Sequence, residues 1–138
     1  MRYRILLVGI GIGLIAGCVA ALQSLDLRVD TIPASADFGN VSPRVSPDKC
    51  GYYTTDHAPD ASTYTVLARY IVQEEPEVFV PYNANEMIAY VCKQAVEKGA
   101  DAIIVDDVGT TTFAGRHART SPVVKARAIR FNGEPPSK

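Results

Sequence analysis

A run of 21 residues without a charged side chain, residues 5–25, constrains this chain more than any other feature. It follows Arg2 and Arg4, and its first eleven residues are apolar or glycine. A short apolar stretch behind a basic start is typical of an export signal, not of a globular element. The folded domain is therefore expected to begin only after this run, and we assign it residues 25–138.

The apolar stretch closes with Ile15-Ala16-Gly17-Cys18. This tetrapeptide resembles the lipobox of bacterial lipoproteins, in which small residues precede a cysteine that receives a diacylglycerol. The resemblance implies a signal peptide at 1–17, lipidation of Cys18 and acylation of its new amine, with residues 18–24 as tether. More than one acyl chain anchors a protein stably. Because Val19 and not Asp follows, the resemblance implies the outer membrane, facing the periplasm, in a Gram-negative cell.

Two other interpretations of this run were weighed against the export signal. The letters G-I-G-L-I-A from Gly11 fit a dinucleotide-binding fingerprint, with Asp30 at the expected distance. A crossover helix after that turn needs a polar stripe, however, and residues 13–22 contain no polar residue apart from a cysteine. The run is also long enough for an uncleaved membrane helix, although its four glycines weigh against one.

The overall composition excludes some classes of function. The chain has 47% apolar and 21% charged residues and a net charge of −1, which is an ordinary globular balance. Its basic residues are scattered, whereas nucleic-acid binding needs a clustered excess of Lys and Arg. We therefore expect no nucleic-acid partner.

Two cysteines, Cys50 and Cys92, are left once Cys18 carries lipid. An even pair of cysteines in an oxidising compartment predicts a disulfide. Such a bridge would stabilise a small domain by about 4 kcal/mol in the chain-entropy model. The alternative is that Cys92 is a small apolar residue of a helix face and Cys50 a free thiol in a loop.

Alternation and periodicity predict an α+β fold for residues 25–138. A single helix packs on a small mixed four-stranded sheet, built from a βαβ unit with parallel strands and a C-terminal hairpin. The predicted elements are a strand at 25–32, a long irregular loop at 33–62, a strand at 62–73, a helix at 83–99, a strand at 100–108, a hairpin turn at 109–121 and a strand at 122–131. Asn83 or Asn85 caps the helix, and Gly99 ends it.

The stretch KQAVEKGADAIIV, residues 93–105, followed by KARAIRF, carries a second resemblance. It is similar to small bacterial envelope lipoproteins whose helix ends in Gly-Ala-Asp-Ala before an apolar strand. That group resembles the Rcs stress-sensing outer-membrane lipoprotein and a domain family named for heavy-metal binding. The resemblance implies the same α+β fold and an envelope role.

Few residues suggest catalysis. Asp106 and Asp107 are adjacent in a strand and so point to opposite faces, which rules out a carboxylate dyad. His117 lies in a predicted hairpin turn between arginines. The tyrosines, among them Tyr52 and Tyr53, form either a protein-binding patch or half-buried sheet positions, and we favour the sheet positions.

These observations predict a protein that is not an enzyme and holds no cofactor. It is expected to be a lipid-anchored binding, structural or sensor module of the cell envelope, with an envelope partner that the sequence does not name. The alternative is a periplasmic metal- or small-ligand-binding module that uses the loop containing Cys50 and His57, near Asp56 and Asp60.

Overall fold

The computed structural model describes residues 27–76, 81–116 and 118–137. These residues form five strands and one α-helix, joined by short 3₁₀ turns. In chain order the elements are β1 (Leu27–Pro33), β2 (Gly51–Thr54), β3 (Tyr64–Glu74), α1 (Ala84–Glu97), β4 (Ala102–Phe113) and β5 (Arg119–Phe131). No helix among the described residues is long and apolar enough to cross a bilayer.

The strands form one mixed sheet in the order β1-β3-β5-β4-β2. Three neighbouring pairs are antiparallel, and the short β2 runs parallel to β4 at the edge. Because β3 and β4 are both antiparallel to β5, they run parallel to each other, as the sequence predicted for the βαβ unit. β5 returns between them and is the centre of the sheet.

Two features of the predicted sheet were wrong. The sheet has five strands and not four, because β2 lies inside the segment 33–62 that was predicted as an irregular loop. The hairpin turn is also shorter than the predicted 109–121, since β4 continues to Phe113 and β5 begins at Arg119. Threonine is a favourable strand residue, and Thr110, Thr111 and Thr112 extend the pairing into the predicted turn.

Helix α1 begins and ends with the residues that its sequence suggests. The Asn83 side chain accepts from the Glu86 backbone nitrogen at 2.9 Å, and the Glu86 carboxylate accepts from the Asn83 nitrogen at 2.8 Å. This capping box satisfies donors that the first helical turn leaves free. Gly99 follows the helix with a φ of 101°, in the left-handed region that favours glycine.

The main core lies between α1 and one face of the sheet. The four residues of the predicted helix stripe are buried there: Ile88, Val91, Cys92 and Ala95. Met87 and Val96 of the same helix are buried as well. Leu67, Ile103 and Val124 oppose it from the sheet. A smaller cluster, which includes Ile104, Ile129 and Phe131, covers part of the other face at the end where β4 begins. The rest of that second face has no helix over it among the described residues.

Candidate functional site

The predicted disulfide between Cys50 and Cys92 is present. Their Cα atoms are 5.8 Å apart, and the bridge joins residues separated by 42 positions. Cys50 directly precedes β2, whereas Cys92 lies on the buried face of α1. The bridge therefore fixes the segment before β2 against the helix.

The residues of the predicted metal alternative do not come together as ligands. The Cys50 sulfur is bonded to Cys92 and is not the thiolate that a metal needs. His57 is exposed, and its Nδ1 lies 3.1 Å from the Thr54 hydroxyl. The Asp60 carboxylate accepts from the Ser62 hydroxyl and backbone nitrogen, which lower its pKa. Across the described ranges, no group of three or more His, Cys, Asp and Glu residues could hold a metal ion.

Two predicted positions fall outside the described residues, the lipidation residue Cys18 and the hairpin residue His117. Asp106 and Asp107 are described and differ in their surroundings. Both Asp106 oxygens accept from Arg127 Nε at 2.9 Å, and this hydrogen bond raises the pKa of Arg127. The register between β4 and β5 shifts between Val105 and Asp107, so Asp107 pairs with Lys125 while the bulged Asp106 contacts Arg127. Lys125 and Arg127 are on the same face of β5, so both carboxylates lie on that face, and the prediction that they point to opposite faces was wrong because of the bulge.

The tyrosines are spread over the domain and do not form one patch. Tyr70 is in the core beside Phe38, with ring centroids 6.3 Å apart, and burial raises its pKa to about 12. Tyr53 packs edge-on against Phe131 in the smaller cluster, with centroids 6.5 Å apart. Tyr52 is half exposed. Sheet positions were the favoured interpretation, and most of these residues occupy them.

Two buried carboxylates stabilise opposite ends of the sheet. Glu74, at the end of β3, accepts from Ser121 at 2.6 Å, from Arg119 and from the Tyr82 backbone nitrogen. Burial alone would raise the pKa of Glu74, but these hydrogen bonds outweigh it and hold the pKa below its ordinary value. The cluster joins the hairpin, β3 and the segment that leads to α1.

Asp101 is the buried carboxylate that joins chain segments at the other end of the sheet. Its side chain is fully buried, and it accepts from Arg44 Nε at 3.1 Å and from the Phe131 nitrogen at 2.8 Å. Arg44 also donates to the backbone oxygens of Phe131 and Gly133, at 2.8 and 2.9 Å. Arg44 belongs to the segment 33–62, so its guanidinium attaches that segment to the sheet.

The open sheet face carries a shallow groove of about 420 Å³, and it is the best candidate for a binding site. The strand register places Ile32, Arg69 and Arg127 side by side across β1, β3 and β5, with Ile71 beside Lys125 in a neighbouring row. Asp106, Tyr70 and Ala126 also line this groove, and we call its five basic and aliphatic residues, Ile32, Arg69, Ile71, Lys125 and Arg127, the open-face groove. Alternation puts all five side chains on the face away from α1.

The cationic side chains of the open-face groove differ in whether they already form an ion pair within the domain. Arg127 is held by Asp106 at 2.7 Å, whereas Arg69 and Lys125 make no hydrogen bond or ion pair in the described part of the chain. Both are exposed. Guanidinium and ammonium groups beside Ile32, itself 54% exposed, suit a ligand that combines acidic and apolar groups. The alternation in KARAIR predicted one wet strand face, but the partners of that face depend on the sheet order.

Comparison with known proteins adds little to this geometry. No protein-family model matches the chain, and no curated protein matches it. Among solved structures, the crystal structure of a Francisella virulence factor, FvfA, in an orthorhombic form is similar with a TM-score of 0.46. The two chains are 13% identical, and the match covers 76% of this chain and 98% of the other.

Proposed function

We propose that this chain is a lipid-anchored protein of the cell envelope whose domain faces the periplasm and binds another envelope component. The observation that carries the anchor is Ile15-Ala16-Gly17-Cys18 at the end of a short apolar stretch behind Arg2 and Arg4. The cysteine thiol is the acceptor for lipid, and Ala16 and Gly17 give the narrow backbone that a processing protease requires. The signal peptide is residues 1–17, and the outer membrane is the proposed site in a Gram-negative cell.

The disulfide supports an extracytoplasmic location. Stable structural disulfides are rare where glutathione and thioredoxin keep thiols reduced, and they are common in the periplasm and outside the cell. The bridge between Cys50 and Cys92 also leaves Cys18 as the one cysteine outside it, since the chain has three cysteines. That division fits one cysteine for lipid and two for folding.

The anchor is tested by a Cys18→Ser substitution, with Val19→Ser as the matched control. Cells are labelled with an alkyne analogue of palmitate, and the purified protein is weighed by mass spectrometry. We expect the parent chain and Val19→Ser to be labelled and to start at Cys18. We expect Cys18→Ser to be unlabelled and to keep residues 1–17. A cleaved and released Cys18→Ser protein would contradict the proposal.

The proposed partner site is the open-face groove. Three cations and two aliphatic side chains lie together there with one carboxylate, Asp106, which is paired with Arg127. Arg69 and Lys125 make no hydrogen bond or ion pair in the described part of the domain. Charged and apolar groups presented on a rigid sheet suit recognition of an acidic surface with apolar contacts. No group in the groove provides a nucleophile with an adjacent base, so binding and not catalysis is the proposed role.

Crosslinking in intact envelopes tests the groove. Three chains carry a photo-crosslinking residue at Ile32: the parent, the double variant Arg69→Glu/Lys125→Glu, and a control. The charge-matched control is Lys93→Glu/Lys98→Glu, which changes one lysine of α1 and one directly after it. We expect one discrete crosslinked protein from the parent chain, reduced about tenfold or more by the groove charges. The control substitutions Lys93→Glu and Lys98→Glu should leave the crosslinking yield unchanged. Equal yields in all three chains would reject the groove as the binding site.

A further inference from the structure

The start of β1 and the β4–β5 hairpin lie at the same end of the sheet. Leu27 is paired with Glu74, the last residue of β3, and Gln73 beside it is paired with Val123 of β5. Upstream of Val123, β5 continues back to Arg119, which is paired with Phe113 of β4. The chain that leads to Cys18 therefore enters the domain at the end where the hairpin projects.

The hairpin extends past the rest of the sheet. β5 has three residues, from Arg119 to Ser121, beyond the level at which β3 ends, which corresponds to about 10 Å of strand. Among the described strands, only β4 and β5 continue past this level, from Thr111 to Phe113 on β4. The hairpin tip, residues 113–116 and 118–119, thus projects past the end of β3 and the start of β1.

The hairpin tip carries Arg116 and Arg119 and no acidic residue, and Arg119 is already paired with Glu74. No Asp or Glu occurs between Gly109 and Pro122. Arg116 is exposed and has no ion pair within the described residues. The Arg119 guanidinium lies over the Phe113 ring, 5.1 Å from its centroid, which holds the aromatic ring at the tip. Ala114 and Ala118 are small, so a flat surface could approach the backbone closely.

We propose that the hairpin tip rests on the headgroup layer of the membrane that holds the Cys18 lipid. The inference depends on the proposed lipid anchor. Residues 19–26 separate Cys18 from Leu27 and span at most about 30 Å, so the end of the domain that carries the hairpin stays near the bilayer. Lipid phosphates are anions that the Arg116 guanidinium would bind, and Phe113 suits the interface between headgroups and acyl chains. The open-face groove then lies to the side, free for a partner.

The test uses the absence of tryptophan from this chain. Phe113→Trp, and Ala114→Trp as a second probe of the same tip, each give the only tryptophan signal. Tyr52→Trp is the control, since Tyr52 pairs beside Ile103, ten residues along β4 from Phe113 and so about 33 Å away. Each lipidated protein is reconstituted in phosphatidylethanolamine–phosphatidylglycerol vesicles that contain a lipid with a quencher in its headgroup.

We expect strong quenching at positions 113 and 114 and little at position 52. Arg116→Gln in the Phe113→Trp chain should lower the docked fraction about fivefold, and Lys98→Gln, at the far end, should not change it. Equal quenching at positions 113, 114 and 52, or none at either tip position, would overturn the inference. The mass of the Cys18 peptide from the same sample is read separately. Unmodified Cys18 overturns the proposed anchor and this inference together, whereas modified Cys18 without tip quenching overturns only the inference.

Discussion

Single side chains connect parts of this domain that the strand pairing does not join. Glu74 and Asp101 are both buried, and each accepts hydrogen bonds from an arginine far along the chain, Arg119 and Arg44 respectively. An unpaired buried carboxylate is costly, so these pairs strongly favour one arrangement of the hairpin and of the segment 33–62. The sequence could not reveal them, because the partners are 45 and 57 positions apart.

Glu74 makes the stability of the domain sensitive to acid. Its folded pKa lies below the ordinary value of about 4.5, so its charge adds stability that is fully present above that value and is lost as pH falls through the folded pKa. We expect Glu74→Gln to lower the free energy of unfolding at neutral pH by about 1–3 kcal/mol and to flatten its decline in acid. Urea unfolding over a pH series measures both effects.

Glu75→Gln is the matched control for this prediction, because the Glu75 side chain makes no hydrogen bond or ion pair with any described residue. The Glu75 backbone oxygen, which the substitution keeps, accepts a hydrogen bond from Arg119. Its stability should follow the parent chain at every pH. If Glu74→Gln retains the full acid dependence of the parent, another group is responsible for it.

Gly99 occupies a position where the backbone conformation and the neighbouring residues require glycine. Its φ is 101°, and an added Cβ would meet the Val41 side chain and lie 2.9 Å from the Val41 oxygen. We expect Gly99→Ala to destabilise the domain by about 1–3 kcal/mol, measured by urea unfolding. Gly133→Ala, where nothing lies within 4 Å of the added Cβ, should be nearly neutral. Similar losses in the two variants would argue against strain at Gly99.

At the scale of elements, local signals were sufficient for the helix and the long strands. Asn83, the apolar stripe of α1 and Gly99 predicted the helix. Apolar alternation predicted β1 and β5, and β-branched and aromatic residues predicted β3. β2 was missed because four residues, Gly51–Thr54, are too short to show a pattern among prolines and serines. Its pairing with β4 comes from tertiary contacts, which include the neighbouring disulfide.

The disulfide should matter most for this short edge strand. We expect the double substitution Cys50→Ser and Cys92→Ala to lower the free energy of unfolding by up to about 4 kcal/mol, since the bridge restricts the unfolded chain over 42 positions. Urea unfolding measures the loss. The parent chain in reductant should behave like the variant, and the variant itself should not respond to reductant. An unchanged midpoint would mean that the bridge contributes little to folding.

At the scale of the whole molecule, the sequence was sufficient for the fold class but not for the proposed binding surface. Helix–sheet packing follows from one apolar helix stripe and alternating strands, so an α+β domain was predictable. The open-face groove was not, because Ile32, Arg69 and Lys125 are brought together only by the order β1-β3-β5. That order depends on long-range pairing, which a single sequence does not display.

The proposed division of the molecule into a lipid anchor and a folded domain gives a prediction for two truncations. The core formed by the described residues begins with Leu27 in β1, so a chain that starts at residue 25 should unfold at the same temperature as the chain that starts at Cys18. A chain that starts at residue 35 loses β1, which pairs with β3 at seven positions from Leu27 to Pro33. The edge of β3 would be unpaired and Tyr70 and Val72 partly uncovered, and burial of Leu27 alone is worth about 2 kcal/mol. Circular dichroism against temperature should therefore show a large loss for the second truncation only. A loss already present in the first would place part of residues 18–24 in the folded domain and would contradict their assignment as a tether.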